Sequence, residues 1–306
     1  MLIHIGYHKT ASTTLQNEVF IERFGFKQFA SREDVHRLLV DTAPLDVFPA
    51  QASRYLVKRA SEVACSGQIP VLSHERLSGY PASGGFDQLK IAISLHKLFP
   101  QAKILAVFRE QRSLIYSFWK QYIVDGGSLS LRHFLSPGEV DSKRVPAFDL
   151  AYYDFFEAYE FYRNLFGENN VLFIPFELLV DFPMEFTNRI LEFAGRTEVA
   201  ELTQLAERNT SRSLVILTLM RVLNRFMFMQ QLSPCGLLDT KVRLFHLVQK
   251  SVRTGLDRID FFHGLDGPLA RYHKRRIEHV VGDFYRTSNI ELSRMMGTRL
   301  SDLGYR

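Results

Sequence analysis

An α/β fold, with a parallel central sheet flanked by helices, is predicted by three features of the 306-residue chain. Short apolar runs at Leu2–Ile5, Val71–His74, Lys103–Phe108 and Val171–Ile174 alternate with longer segments of helical period, as in successive βαβ units. The clearest of them, Lys103–Phe108, is apolar throughout after its lysine, as a strand buried on both faces must be. The first run passes directly into a turn of small and hydroxylated residues ahead of the helix-compatible Leu15–Phe20, the arrangement in which a helix N-terminus holds an anion.

The elements follow in order. Ser31 and Asp34 have the spacing of a variant capping box and open a helical segment running to Val40. Residues 44–50 break the pattern, Ala52–Ala64 reads as a helix, and Gly67 with Pro70 turns the chain into the strand ending at His74. Gly79, Pro81, Gly84 and Gly85 mark a loop fit for a lid or substrate rim. Phe86–Phe99 is a helix with a broad apolar face that Pro100 ends, and Ser113–Val124 is helical by period. Residues 126–146 mix Ser, Gly, Pro and charge, and predict a surface excursion bordering an acceptor site. Tyr152–Phe166 and Glu185–Ala194 are helices on either side of the fourth strand. Beyond residue 200 only helical patterns remain: Leu214–Met229, Lys241–Val252 and Leu269–Asn289. The expected organisation is one domain, with an α/β core over 1–200 and a helical cap over 201–306. Exposed apolar positions on the cap helices would suit a homodimer.

Composition narrows the class. Apolar residues make up 46% and charged residues 23%, ordinary for a globular protein with ample core. The net charge of +5 favours anionic ligands, but the basic residues are spread along the chain, which argues against a nucleic-acid surface. Cys65 and Cys235 form neither a disulfide framework nor a CxxC metal pattern and are expected to be buried thiols. No apolar stretch reaches the roughly 20 residues needed to span a bilayer. The first strand begins at once and leaves no room for a leader, so a cytoplasmic protein of bacterial type is expected.

The turn after the first strand reads His8-Lys9-Thr10-Ala11-Ser12-Thr13-Thr14. An ATPase or kinase loop, GxxxxGK[ST], ends on its lysine with a magnesium-binding hydroxyl beside it. Here Lys9 comes first and the hydroxyls follow. That order resembles the 5′-phosphosulfate loop of sulfotransferases, Lys-Ser/Thr-Gly-Thr-Thr, with Ala11 in place of the glycine. Alanine resists positive φ, so the loop is expected to keep Ala11 out of the left-handed region. A second match lies where the third apolar run delivers Arg109, with Ser117 two helical turns on. This resembles the 3′-phosphate site of the same family, where a guanidinium fork and a hydroxyl grip one phosphate. Phe176-Glu177-Leu178-Leu179 resembles the family's Tyr-Glu-Asp-Leu segment, whose aromatic residue lies near adenine. Arg208-Asn209-Thr210-Ser211-Arg212 is similar to a segment that closes over the nucleotide, and residues 288–305 resemble the family's ending.

The resemblance implies a P-loop-like nucleotide-binding core and PAPS (3′-phosphoadenosine 5′-phosphosulfate) as donor, with PAP (3′-phosphoadenosine 5′-phosphate) as product. His8, Lys9, Thr10, Ala11, Ser12, Thr13, Thr14, Arg109, Ser117, Phe176, Asn209, Ser211 and Arg212 would hold it, without metal. The acceptor, a small molecule or a glycan, presents a hydroxyl or amine whose proton needs a base. Glu75 and His74, at the end of the second predicted strand, are the first candidates and His8 the third; Lys9 would act on the leaving phosphate. Two other readings stay open: a kinase with an atypical loop, which predicts magnesium dependence, and a non-catalytic nucleotide-binding module.

Overall fold

The computed structural model describes residues 1–43, 45–46, 50–136, 147–196, 212–225 and 266–306. Five parallel strands form one sheet in the order β2-β3-β1-β4-β5. They are β1 Leu2–His4, β2 Phe26–Gln28, β3 Ile69–Ser73, β4 Lys103–Phe108 and β5 Val171–Pro175. β1 lies at the centre, with Ile3 level with Leu72 of β3 on one side and Ile104 of β4 on the other. From β1 the chain runs to the edge at β2, returns inward to β3 beside β1, and then crosses to β4 and β5 on the other side, so the loop after β1 occupies the place where such sheets bind ligands.

The unbroken apolar runs have a two-sided explanation. Ile3, Leu72, Ile104 and Ala106 enter one core with Leu114, Ile115 and Phe118 of helix Gln111–Val124 and Tyr162 of helix Phe155–Phe166. Their neighbours Leu2, Val71, Leu105 and Val107 enter a second core with Leu15, Val19 and Phe20, and with Phe186 and Ile190 of helix Pro183–Ala194. Successive side chains of a strand point to opposite faces, and here each face is covered.

Several expectations are corrected. A fifth strand, β2, stands at the edge of the sheet, where only Phe26 of its three residues is buried. The segment 269–289 is divided between helices Asp266–Val281 and Arg286–Met296, with Gly282 at φ 47 in the break. Cys65 is exposed, not buried. The start of the 126–146 stretch is core: Ser130 caps helix Leu131–Leu135, whose Leu131, Phe134 and Leu135 are buried. The glycine-containing loop is pinned, because the Asp87 carboxylate accepts from the Arg76 guanidinium at 2.6 Å and from the Tyr80 N–H at 3.0 Å. Cys235, residues 137–146, the 241–252 helix and the end of the 214–229 helix lie outside the described residues.

The described helices after residue 212 pack on helices of the core. Leu214–Asn224 and Asp266–Val281 lie against Gln111–Val124, and Arg286–Met296 lies against Phe155–Phe166. No helix of the described residues is long and apolar enough to cross a membrane.

Candidate functional site

The loop from β1 to the helical turn Ser12–Thr14 holds strained backbone. Lys9 has φ 67 and Ala11 has φ 62, and among the described residues these are the non-glycine positions with positive φ. The expectation for Ala11 is therefore wrong: alanine sits in the left-handed region, at a cost of about 1–2 kcal/mol for an L-residue. Left-handed residues interleaved in a turn aim neighbouring N–H groups into one concavity, the geometry of an anion nest. Strain of this kind persists where the surroundings over-determine it, and it clusters at ligand clamps.

The hydroxyls of the loop divide in role. Thr10 is fully buried and donates to the Tyr7 carbonyl at 2.6 Å, so its side chain staples the loop from within. Thr13 is exposed and Thr14 half-buried. The Ser12 Oγ is buried with no partner. Gly6 is needed for a close approach: a Cβ there would lie 2.5 Å from His4 Nε2 and 2.9 Å from Ser12 Oγ. Lys9 is exposed at the rim. Lost solvation lowers its pKa, Asp125 opposes this, and the charge of Arg109 adds to the lowering.

At the end of β3, His74 caps the short 3-10 turn Glu75–Ser78. Its Nδ1 accepts from the Arg76 N–H at 3.0 Å, which puts the ring proton on Nε2. Burial pushes His74 down to about 4 and His8 down to about 3, so both rings are neutral near neutral pH. Glu75 lies beside them, with Arg32 3.6 Å from its carboxylate. Burial works to raise the Glu75 pKa, but His74, a backbone hydrogen bond, His8 and Arg32 outweigh it and hold the carboxyl below its usual value. A His74 ring whose only lone pair is taken by a backbone N–H is a poor proton acceptor. The ionised Glu75 is the better base.

The register of β4 and β5 builds a second grip. Phe108 lies level with Pro175, so the residues that follow each strand, Arg109 and Phe176, meet with the guanidinium carbon 5.0 Å from the ring centroid. Arg109 Nε donates to Ser113 Oγ at 3.1 Å, and Ser113 donates on to the Glu110 carbonyl at 2.9 Å. The serine that holds Arg109 is thus Ser113, one helical turn before Ser117 on the same face. Glu177 takes the Glu110 N–H at 3.0 Å and the Tyr305 hydroxyl at 2.8 Å, although burial raises its pKa. Two turns along the same helix, Lys120 lies with its ammonium 4.9 Å from the Tyr116 ring centroid. Burial lowers its pKa first, then the positive charges of Lys9 and Arg109, which gather three cations over the tips of β1 and β4.

Two groups of opposite origin, a strained loop led by a lysine and an arginine at a strand tip, follow the adjacent strands β1 and β4. The sequence carries the same message: the Sulfotransferase family model matches residues 8–200, well over half of the chain. The chain belongs to the sulfotransferase family. Among solved structures, a sulfotransferase from Alicyclobacillus acidocaldarius is similar at 18% identity, covering 67% of this chain and 85% of that one, with a TM-score of 0.47. No curated protein matches the chain.

In this sulfotransferase-family chain the fold brings Lys9, Ser12, Arg109 and Phe176 to the carboxyl ends of β1, β4 and β5, and Glu75, His74 and His8 to the end of β3, while Ser117 lies in the middle of helix Gln111–Val124. Arg212 lies ahead of helix Leu214–Asn224, with its guanidinium 3.7 Å from the Met220 sulfur. Asn209 and Ser211 lie outside the described residues. Sequence reasoning missed Gly6, Ser113 and Lys120. The last two share the helix face of Ser117 at intervals of four and three residues, a signal present in the chain.

Proposed function

We propose that this chain transfers a sulfuryl group from PAPS to a hydroxyl or amine of a small-molecule or glycan acceptor. The observation that carries this reading is the β1 loop, where two non-glycine residues hold left-handed backbone around a buried, unpartnered serine hydroxyl. A left-handed loop rimmed by Lys9, with the Ser12 hydroxyl in it, fits the 5′-phosphate, and Arg109 fits a second phosphate on the far side of a nucleotide. PAPS, when bound, supplies an activated sulfuryl group whose leaving atom is an oxygen of the 5′-phosphate.

The chain's own part is positioning and charge. The acceptor oxygen or nitrogen forms a bond to sulfur as the bond from sulfur to the phosphate oxygen breaks. The acceptor proton passes to the Glu75 carboxylate, and Lys9 with the loop amides meets the charge left on the phosphate. His74 supports the turn that presents Glu75. A cytoplasmic setting, where PAPS is made, suits this reading.

Calorimetric titration with PAP, with magnesium ATP in parallel, tests the donor. Tight binding of PAP and little of ATP is expected; the reverse would favour the kinase reading. Glu75→Gln is expected to lower turnover about 10²–10⁴-fold with PAP affinity kept, and His74→Asn far less. The sign of the pH effect follows from the lowered pKa of Glu75. The base is ionised above that pKa and lost as pH falls through it, so the acid limb lies below the usual carboxylate value and activity holds at pH 5.

A further inference from the structure

Beneath the β1 loop lies a buried polar chain that no role given so far uses. The imidazole of His4, in the middle strand, is fully buried and packed at 5.4 Å, centroid to centroid, against Phe20. Its Nδ1 is 2.8 Å from Ser73 Oγ across the β1–β3 pair. Gln16 reaches the same serine from the helix that follows the loop, its amide Nε2 donating to Ser73 Oγ at 3.1 Å and to the Ser73 carbonyl at 3.1 Å. With Gln16 donating into the hydroxyl oxygen, the serine has its own proton to give, and His4 Nδ1 is there to accept it. That places the imidazole proton on Nε2. This second nitrogen is buried, has no partner, and lies 2.5 Å from the point where a Gly6 Cβ would stand. The equally unpartnered Ser12 Oγ lies 2.9 Å from that same point.

We propose that His4 is a positioning residue for the donor site, the third member of a one-way relay, Gln16 to Ser73 to His4 to Ser12, whose last link, from His4 Nε2–H to Ser12 Oγ, closes when a bound oxyanion takes the Ser12 proton. The inference rests on the donor reading above and adds a role for a residue inside the sheet. A donor left buried without an acceptor costs about 1–3 kcal/mol, and the fold recovers that cost at both orphans when a bound anion takes the Ser12 proton and Ser12 Oγ accepts from His4 Nε2–H. If Nε2–H occupies the acceptor side of Ser12, that hydroxyl has only its proton left to offer, so it selects an acceptor such as a phosphate oxygen. Donors aligned in series also polarise one another, which strengthens the last bond of the chain. Deep burial pushes the His4 pKa down to about 3, with Glu75 opposing, so the ring stays neutral and passes on a hydrogen bond instead of a charge. The absence of a side chain at Gly6 then has a cause, since any Cβ would displace the ring or the serine.

The test is nitrogen-15 spectroscopy on the full chain labelled at histidine, with His4 among the 10 histidines identified by its absence in His4→Gln. The free protein is expected to show His4 as the Nε2–H tautomer, and saturating PAP is expected to move that Nε2–H resonance downfield. Ser12→Ala should abolish the movement, leave the other histidine resonances in place, and weaken PAP on the order of tenfold. An Nδ1–H tautomer, or a ring unmoved when calorimetry shows PAP fully bound, would overturn the relay. If PAP does not bind, the donor reading falls, and pyrophosphate becomes the probe: a moved His4 resonance keeps the relay as an anion device, and an unmoved one removes it.

Discussion

The two proposed anion grips of this chain are built in opposite ways. At the tip of β4 the polar atoms are largely committed before any ligand arrives: Arg109 to Ser113, Ser113 to Glu110, and Glu177 to both the Glu110 N–H and Tyr305. The backbone there carries no left-handed residue. In the β1 loop, by contrast, Lys9 and Ala11 are left-handed, and Ser12 Oγ and His4 Nε2 are buried without partners. The finished grip suits an invariant part of the ligand, such as a 3′-phosphate that does not react. The unfinished one suits the part where charge changes during the reaction, because donors that the protein has not already satisfied can strengthen as negative charge grows.

The largest effect that would sharpen this contrast is expected at Lys9. Lys9→Ala removes the cation nearest the developing phosphate charge and should lower turnover about 10²–10³-fold while PAP still binds. Wild-type turnover in that variant would make the β1 loop a binding element only and erase the distinction. The next effect belongs to the finished grip. Arg109→Ala should weaken PAP about 10–100-fold, the worth of charge-assisted hydrogen bonds, while leaving adenosine 5′-phosphate little changed. Equal losses for both nucleotides would mean that Arg109 serves the Phe176 and Ser113 contacts alone. A double-mutant cycle separates the two serines: Ser113→Ala should couple with Arg109→Ala, since it holds the guanidinium, whereas Ser117→Ala should add to it if Ser117 reaches the phosphate by itself.

The same contrast explains how much was legible in the chain. β1, β3, β4 and β5 could be read because both faces of each are largely buried and their runs are mostly apolar. β2 could not, because an edge strand with Lys27 and Gln28 exposed has no such run. Lys9 and Arg109 were found because each ends or follows a strand that the pattern marks. Ser113 was missed because an interval learned from a resemblance points to Ser117, and only the path of the chain at Glu110, whose carboxylate caps the helix, brings Ser113 under the guanidinium. The role of Gly6 depends on where the His4 ring lies, and a ring's direction is not written in a one-dimensional pattern. Ala11 was misjudged for a related reason: intrinsic preference argues against positive φ, but the packing of Tyr7, Thr10 and Leu15 around the loop overrides it.

The smallest effect tests that override. Ala11→Gly removes the Cβ from a left-handed residue, which recovers about 1–2 kcal/mol, and adds freedom to the unfolded chain, which costs about 0.4–1 kcal/mol. The net expectation is a gain of up to about 1.6 kcal/mol, read as a rise in Tm of up to roughly 3 °C for a chain of this size. Turnover should change little, because glycine adopts the same φ and keeps the loop amides in place. A fall in Tm would show that the loop holds Ala11 without strain. In that case the left-handed pair is simply how this turn folds, and the contrast with the β4 tip would rest on the orphaned Ser12 and His4 atoms alone.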